Sequence, residues 1–233
     1  NGGYPGTIYH LMFAKKWKSL KNKKSWMVFH NYPNKLNIIN LIKLKIIDYQ
    51  FSKNLYGLIS VSNSCLNSLK QRVFLSKLKF FKVFNGINYI KNYRSKKKIN
   101  RSNINILMLA VFEKRKGFDF IFQCMKKLKN DSINFKLNIY GDIKKAEKKK
   151  LFKMIKLHKL NNHVTVNNYV QNLKKIFNKN DILVVPSRYE SFGYTIIESM
   201  MFKKPVIATN YGGPKEIIKN NKDGFLVNFG DVD

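Results

Sequence analysis

Ile182-Leu183-Val184-Val185-Pro186-Ser187-Arg188-Tyr189-Glu190-Ser191-Phe192-Gly193-Tyr194-Thr195-Ile196-Ile197-Glu198-Ser199-Met200-Met201-Phe202 contains one whole unit of the fold. Four apolar residues form a short, continuous run with no polar alternation, as a strand buried on both faces does. Pro186 closes it. A polar loop carrying Glu190 follows, and a helix reads from Gly193 to Phe202. Lys204-Pro205 then leads into a second apolar run, Val206–Thr209. Strand, loop, helix, strand in this order is a parallel crossover unit.

The same rhythm extends outward in both directions. Strand-like runs fall at Trp26–Phe29, Gly57–Val61, Lys82–Phe84, Asn105–Ala110, Phe135–Tyr140, Val164–Asn167 and Phe225–Val227. Helix-like stretches fall at Thr7–Leu20, Leu36–Gln50, Ser64–Val73, Gly117–Lys129, Lys145–Lys159, Leu173–Asn178 and Pro214–Lys219. Alternation of this kind predicts an α/β protein with doubly wound parallel sheets. Tyr89–Ser102 breaks the rhythm, with Lys96-Lys97-Lys98 and no apolar period, and reads as a linker. The predicted organisation is a first lobe over 1–88, a linker over 89–102 and a second lobe over 103–233. The ends, Asn1-Gly2-Gly3 and Asp233 just after an apolar strand, read as those of a piece of a longer protein, with both lobes incomplete.

Composition narrows the function classes. The 233 residues are 44% hydrophobic, enough for a core. No run of about 18 uncharged apolar residues exists, so no spanning helix is expected. Cys65 and Cys124 are too few for a disulfide framework or a zinc site and read as reduced core thiols, as in a cytosolic compartment. The formal charge is +32, from 45 Lys and Arg against 13 Asp and Glu. Abundant Lys, Asn, Ile, Phe and Tyr beside scarce Ala share A/T-rich codons, so genome composition accounts for part of it. A body of this charge is nonetheless drawn to polyanions and anionic membranes.

In doubly wound sheets ligands sit beyond the carboxyl ends of the strands. The loop Pro186–Phe192 is such an end, and it holds the densest chemistry. Glu198 lies among Ile196, Ile197, Met200 and Met201, where a carboxylate left unpartnered costs several kcal/mol. Ligand hydroxyls are natural donors to it. Free N–H groups of Phe192 and Gly193 at the helix start make an anion-friendly end. The bland reading is that Glu190 caps the helix and Glu198 is exposed. His30, following an early strand, is either a buried structural residue or a site residue. His10, His158 and His163 lack companions at metal or triad spacing and read as surface or packing residues. Asp231-Val232-Asp233 imitates a metal motif but follows the last strand. No phosphate-binding P-loop or Gly-x-Gly-x-x-Gly is present, against nucleotide triphosphatase and dehydrogenase readings.

The block Pro186–Glu198, with seven residues between its two glutamates, resembles the signature of family-four glycosyltransferases of GT-B fold. Lys204–Ile218 with its Gly212-Gly213, Asp223–Val227, Arg115-Lys116-Gly117 and Asn85-Gly86-Ile87 resemble further segments of that family. The resemblance implies two Rossmann-like lobes around a cleft. It implies a retaining transfer of sugar from a nucleotide-sugar donor to a glycan or lipid-linked acceptor in surface polysaccharide or glycolipid synthesis, with no obligatory metal or other cofactor. It places Glu190, Ser191, Phe192 and Gly193 by the donor sugar, and Glu198 on the ribose hydroxyls. Lys116 falls on the diphosphate, with Arg115 or Lys114 standing in for the family's Arg, Tyr169 and Val170 lie beside the base, and His30 reaches the sugar from the other lobe. It implies a cytoplasmic protein, peripheral at the inner membrane face, with no specific nucleic acid. Val111 stands where the family usually has Arg, Asn168 where glycine is common, and the glycine-rich first loop is missing. The charge alone supports a different class, a nucleic-acid-binding α/β protein, without that class's zinc finger or aromatic strand motif. A third reading is an inactive fragment.

Overall fold

A computed structural model of the protein describes residues 8–32, 38–88, 93 and 102–232. Of the predicted linker, only Tyr93 and Ser102 lie among them. Two compact units result, Asn1–Gly86 with Glu190–Phe192, and Ile87–Tyr189 with Gly193–Asp233.

The first unit runs α1 (Ile8–Lys21), β1 (Ser25–Phe29), α2 (Ile38–Asn54), β2 (Leu55–Ser60), α3 (Asn63–Lys70), a 3-10 turn at Leu75–Lys77 and β3 (Lys79–Lys82). Its strands are parallel in the order β1-β2-β3. Leu11 and Ala14 of α1 and Leu44 and Phe51 of α2 bury against Met27, Phe29 and Leu58. Ser62 begins α3 because its hydroxyl accepts the Cys65 N–H at 3.2 Å, satisfying an otherwise orphaned donor. Asp48 is buried beside Arg72 at 2.7 Å, yet burial outweighs the cation and raises its pKa. β3 begins three residues before the predicted Lys82–Phe84. The cause is long-range. β2 offers partners only as far as Ser60, so Lys79–Lys82 pair with Gly57–Ser60, and the Val83 N–H donates the last rung, to Ser60 O at 2.9 Å.

The second unit runs β4 (Ile104–Leu109), a 3-10 turn at Lys114–Lys116, α4 (Phe118–Asn130), β5 (Phe135–Tyr140), α5 (Lys145–Leu157), β6 (Val164–Asn167), α6 (Leu173–Lys179), β7 (Ile182–Val185), α7 (Tyr194–Met201), β8 (Val206–Thr209), α8 (Gly213–Ile217) and β9 (Phe225–Val227). All six strands are parallel, in the order β6-β5-β4-β7-β8-β9. This is the doubly wound order: the chain steps outward from β4 to β6, crosses back, and steps outward again from β7 to β9. Two helical layers follow from it. Phe118, Phe122, Leu151 and Ile155 pack on Ile106, Leu137 and Ile139. Ile176, Phe177, Ile196 and Phe202 pack on Leu107, Leu183 and Val206. The apolar runs are continuous because consecutive residues Ile106, Leu107 and Met108 are all buried, facing different layers.

β4 and β7 are the neighbours at which the winding reverses. Asp181 fastens their amino ends: its N–H donates to Asn105 O at 2.7 Å, and its carboxylate accepts the Asn105 N–H at 2.8 Å. Their paired register covers Ile106↔Ile182 and Leu107↔Leu183. Each strand continues two residues past that register, so the sheet parts toward its carboxyl edge at the reversal.

Candidate functional site

The loops leaving β4 and β7 flank that parting and are fastened to each other. The Arg188 N–H donates to Arg115 O at 2.8 Å. The Arg188 guanidinium pairs with the Asp119 carboxylate and lies over the Phe229 ring, 4.2 Å from its centroid. Gly117 adopts φ +69°, and a Cβ there would fall 1.9 Å from Pro186 O. Only glycine satisfies both the left-handed backbone and the approach. Lys114–Lys116 are thereby held as a 3-10 turn against Pro186–Arg188. From the other side, the Thr209 hydroxyl donates to Ser187 O and ties in the end of β8.

The helix predicted from Gly117 therefore begins at Phe118, with Gly117 as its left-handed entry. Neither the 3-10 turn nor the Arg188–Asp119–Phe229 anchor was foreseen. The signal was weak, since Arg188 stands inside the quoted block but its partners lie 69 and 41 residues away in sequence. The ion pair is half in solvent and contributes under about 1 kcal/mol. The ring face and the stem add more. Arg188→Ala is expected to cost about 1–2 kcal/mol and Asp119→Asn less than half of that, read by thermal denaturation of the two variants side by side.

α7 opens at Gly193, at φ +104°, with no side chain capping it. Glu190 is therefore not its cap. It lies half-buried in the loop before the helix, with Ser191 and Phe192 buried after it. Glu198 is not exposed either. It is half-buried on the second turn of α7, and burial raises its pKa. Among the described residues no hydrogen bond or ion pair takes up its carboxylate. On a helix it shares a face with Tyr194, four residues earlier and 45% exposed, while Ile196 turns the opposite way into the core. Burial without a partner leaves this carboxylate ready to accept hydroxyl donors.

Arg115 and Lys116 are half-buried in their turn, and the Arg115 guanidinium is paired with Glu113 at 2.5 Å. Val111, two residues past β4, exposes 37% of its surface. Tyr169, 65% exposed, and Val170 follow the edge strand β6 on the same carboxyl edge, with Val170 packed on the second core. His30 follows β1 in the first unit. Its half-buried ring lines a hollow of about 280 Å³ with His10, Phe13, Trp26 and Val28. His163 stacks on Phe135, ring centroids 4.8 Å apart, and His158 bonds Met154 O at 2.9 Å, as packing residues. The Asp231 N–H donates to Asn228 O at 3.2 Å, closing a turn after β9.

Comparison with known proteins adds the following. The profile of the family described as "Glycosyl transferases group 1" matches residues 90–233. An uncharacterized 41.2 kDa protein in the cps region of Klebsiella pneumoniae is 33% identical over 165 residues, covering 68% of this chain and 44% of its own length. An uncharacterized glycosyltransferase of Methanocaldococcus jannaschii is 31% identical over 221 residues, 89% of this chain and 56% of its own. The chain thus spans about half the length of these relatives. The crystal structure of Anabaena HepE in complex with UDP and glucose superposes with a TM-score of 0.78 at 19% identity, over 95% of this chain and 62% of that one. That likeness makes the fold a partial GT-B.

Proposed function

The chain belongs to the group 1 glycosyl transferases, and from that premise we propose that it is the donor-binding part, with a portion of the acceptor side, of a retaining glycosyltransferase. It moves a sugar from a nucleotide diphosphate to a glycan or lipid-linked acceptor. The observation that carries the reading is Glu198, a half-buried carboxylate with no partner among the described residues, at the carboxyl edge of a doubly wound sheet. Two ribose hydroxyls are the donors it suits. The relative in a cps region and the neighbour crystallised with UDP and glucose support a surface glycan and a uridine-type donor. No described helix is long and apolar enough to cross a membrane. The location proposed is cytoplasmic and peripheral, at the inner face of one.

The roles follow from charge. Cleaving a sugar–phosphate bond builds positive charge on the sugar and negative charge on the departing diphosphate. Lys116 and the uncapped amide end of α7 stabilise the leaving group, and such fixed electrostatics is usually the largest catalytic contribution. Arg115 assists less, because Glu113 already neutralises it. These groups supply what a metal would otherwise supply. Glu190, with Ser191 and the N–H groups of Phe192 and Gly193, orients the sugar hydroxyls, and His30 is the further residue assigned to the sugar. Tyr169 and Val170 border the base.

The test is a thermal-shift titration with UDP, GDP and ADP and their sugars. The favoured nucleotide stabilises the fold by mass action, by about 2.7 kcal/mol at one hundred times its dissociation constant, and so raises the melting temperature. Lys116→Ala is expected to weaken that nucleotide about 10–100-fold while leaving the unliganded melting temperature within about 2 °C, since a charge-assisted bond contributes about 1.5–3 kcal/mol. No shift with any nucleotide rejects the reading.

A further inference from the structure

The turn that leaves β4 carries three consecutive cations, Lys114, Arg115 and Lys116, with one acid, Glu113, just before them. Glu113 lowers the charge of this segment from +3 to +2. Its backbone is extended, at φ −130° and ψ 145°, and its carbonyl accepts the Lys116 N–H at 2.9 Å. Its side chain does not cap the turn. The carboxylate pairs instead with the guanidinium two residues on, Arg115 Nε standing 2.5 Å from Glu113 Oε2. With 48% of that side chain in solvent, Glu113 fills no part of the core. What it does is occupy a cation beside Lys116.

The backbone under this pair is fixed by other bonds. Arg115 O accepts the Arg188 N–H at 2.8 Å, and the Glu113 N–H donates to Val111 O at 3.0 Å. Gly117 abuts Pro186 O so closely that the end of the turn cannot shift. The Arg115 side chain can therefore change partners while the turn stays in place. The pair is also wet, since 30% of the Arg115 side chain is in solvent as well. An ion pair this exposed contributes at most about 1 kcal/mol. A phosphate offers the same guanidinium fork more charge than a carboxylate does, so it can displace Glu113. The carboxylate then stands near the bound anion and repels it, the more so the greater the anion's charge.

We infer that Glu113 is a positioning residue that acts through Arg115 to limit how tightly the diphosphate is held, and so lets the spent nucleotide leave. This rests on the donor reading above, in which the turn faces the diphosphate, and adds an opposing acid to it. Calorimetric titration of the full chain with UDP, UMP, uridine and inorganic pyrophosphate tests it. Glu113→Gln is expected to tighten UDP about 5–20-fold and UMP by less, and to leave uridine within about twofold. Most of that gain should vanish as ionic strength rises from about 0.05 to about 0.5 M. Glu113→Asp, which keeps the charge, should return affinity toward that of the wild type. Arg115→Ala should weaken UDP less than about threefold in the wild type and about tenfold beside Glu113→Gln, the coupling expected of residues in contact. The unliganded melting temperatures should agree within about 2 °C, so the effect is not one of folding. UDP tightened no more than uridine, Gln and Asp variants that behave alike, or an Arg115→Ala cost equal in both backgrounds overturns the inference and leaves the donor reading standing. Pyrophosphate held in this Glu113-dependent way by a chain that takes up no nucleotide keeps the inference and rejects the donor reading. Binding of neither rejects both.

Discussion

Glu198→Ala is expected to reduce nucleotide-sugar affinity by about 100-fold or more and to abolish transfer in the whole enzyme. Two hydroxyls donating to one carboxylate contribute about 1.5–3 kcal/mol each. Removal leaves those hydroxyls with no carboxylate to accept from them. Glu198→Gln separates binding from folding. Burial holds the Glu198 pKa above its ordinary value. The folded state therefore takes up its proton more readily than the unfolded chain, so this residue favours folding as the pH falls through the folded pKa toward the unfolded one. Above that window the buried charge destabilises. The glutamine variant should then be more stable than wild type at neutral pH, by about 1 kcal/mol or roughly 2–4 °C, and should lose that part of the pH dependence. Its donor affinity should still fall. Calorimetry across pH 4 to about 8, with and without nucleotide, checks both signs. A glutamine variant with unchanged donor affinity would remove the carboxylate from the site.

Gly117→Ala carries the largest expected cost in stability. The left-handed backbone disfavours any Cβ by about 1 kcal/mol. The contact adds more, since that Cβ would stand 1.9 Å from a backbone carbonyl that cannot swing away without opening the loop pair. The sum is about 2–5 kcal/mol, or roughly 5–15 °C, together with a weakened nucleotide response as Lys116 moves off its position. Gly193→Ala is the comparison. Its φ is also positive, but the nearest atom is the flexible Ile196 Cδ1 at 2.9 Å. It should cost about 1–2 kcal/mol. Equal melting temperatures for the two alanine variants would show that the Gly117–Pro186 approach is not what holds these loops.

The alternation of apolar runs and amphipathic stretches was enough to read two parallel α/β units and most element boundaries. β5 through β9 fall where the sequence places them, because each is an apolar run bounded by polar or turn residues. The Pro186–Glu198 block was legible for the same reason: chemistry and helix start are adjacent in the chain. β3 was misplaced, because where a strand of two phenylalanines between lysines begins depends on where β2 stops offering partners. α1 was read simply as helix. Its sequence is apolar on two faces, and only the location of the sheet distinguishes the one that packs from the one that does not.

From residue order alone come the fold class, the parallel sense of the strands, the residue types at each carboxyl end and the family likeness. They are local, set by period and propensity over a few neighbouring residues. The tertiary structure alone decided which strands adjoin at the reversal of the winding, that Gly117 touches Pro186, that Arg188 reaches Asp119 and Phe229, and that Glu198 is half-buried with no partner among the described residues. Those facts join positions tens of residues apart. They depend on how backbone pairing and close packing settle the whole chain at once, which no short stretch of it encodes.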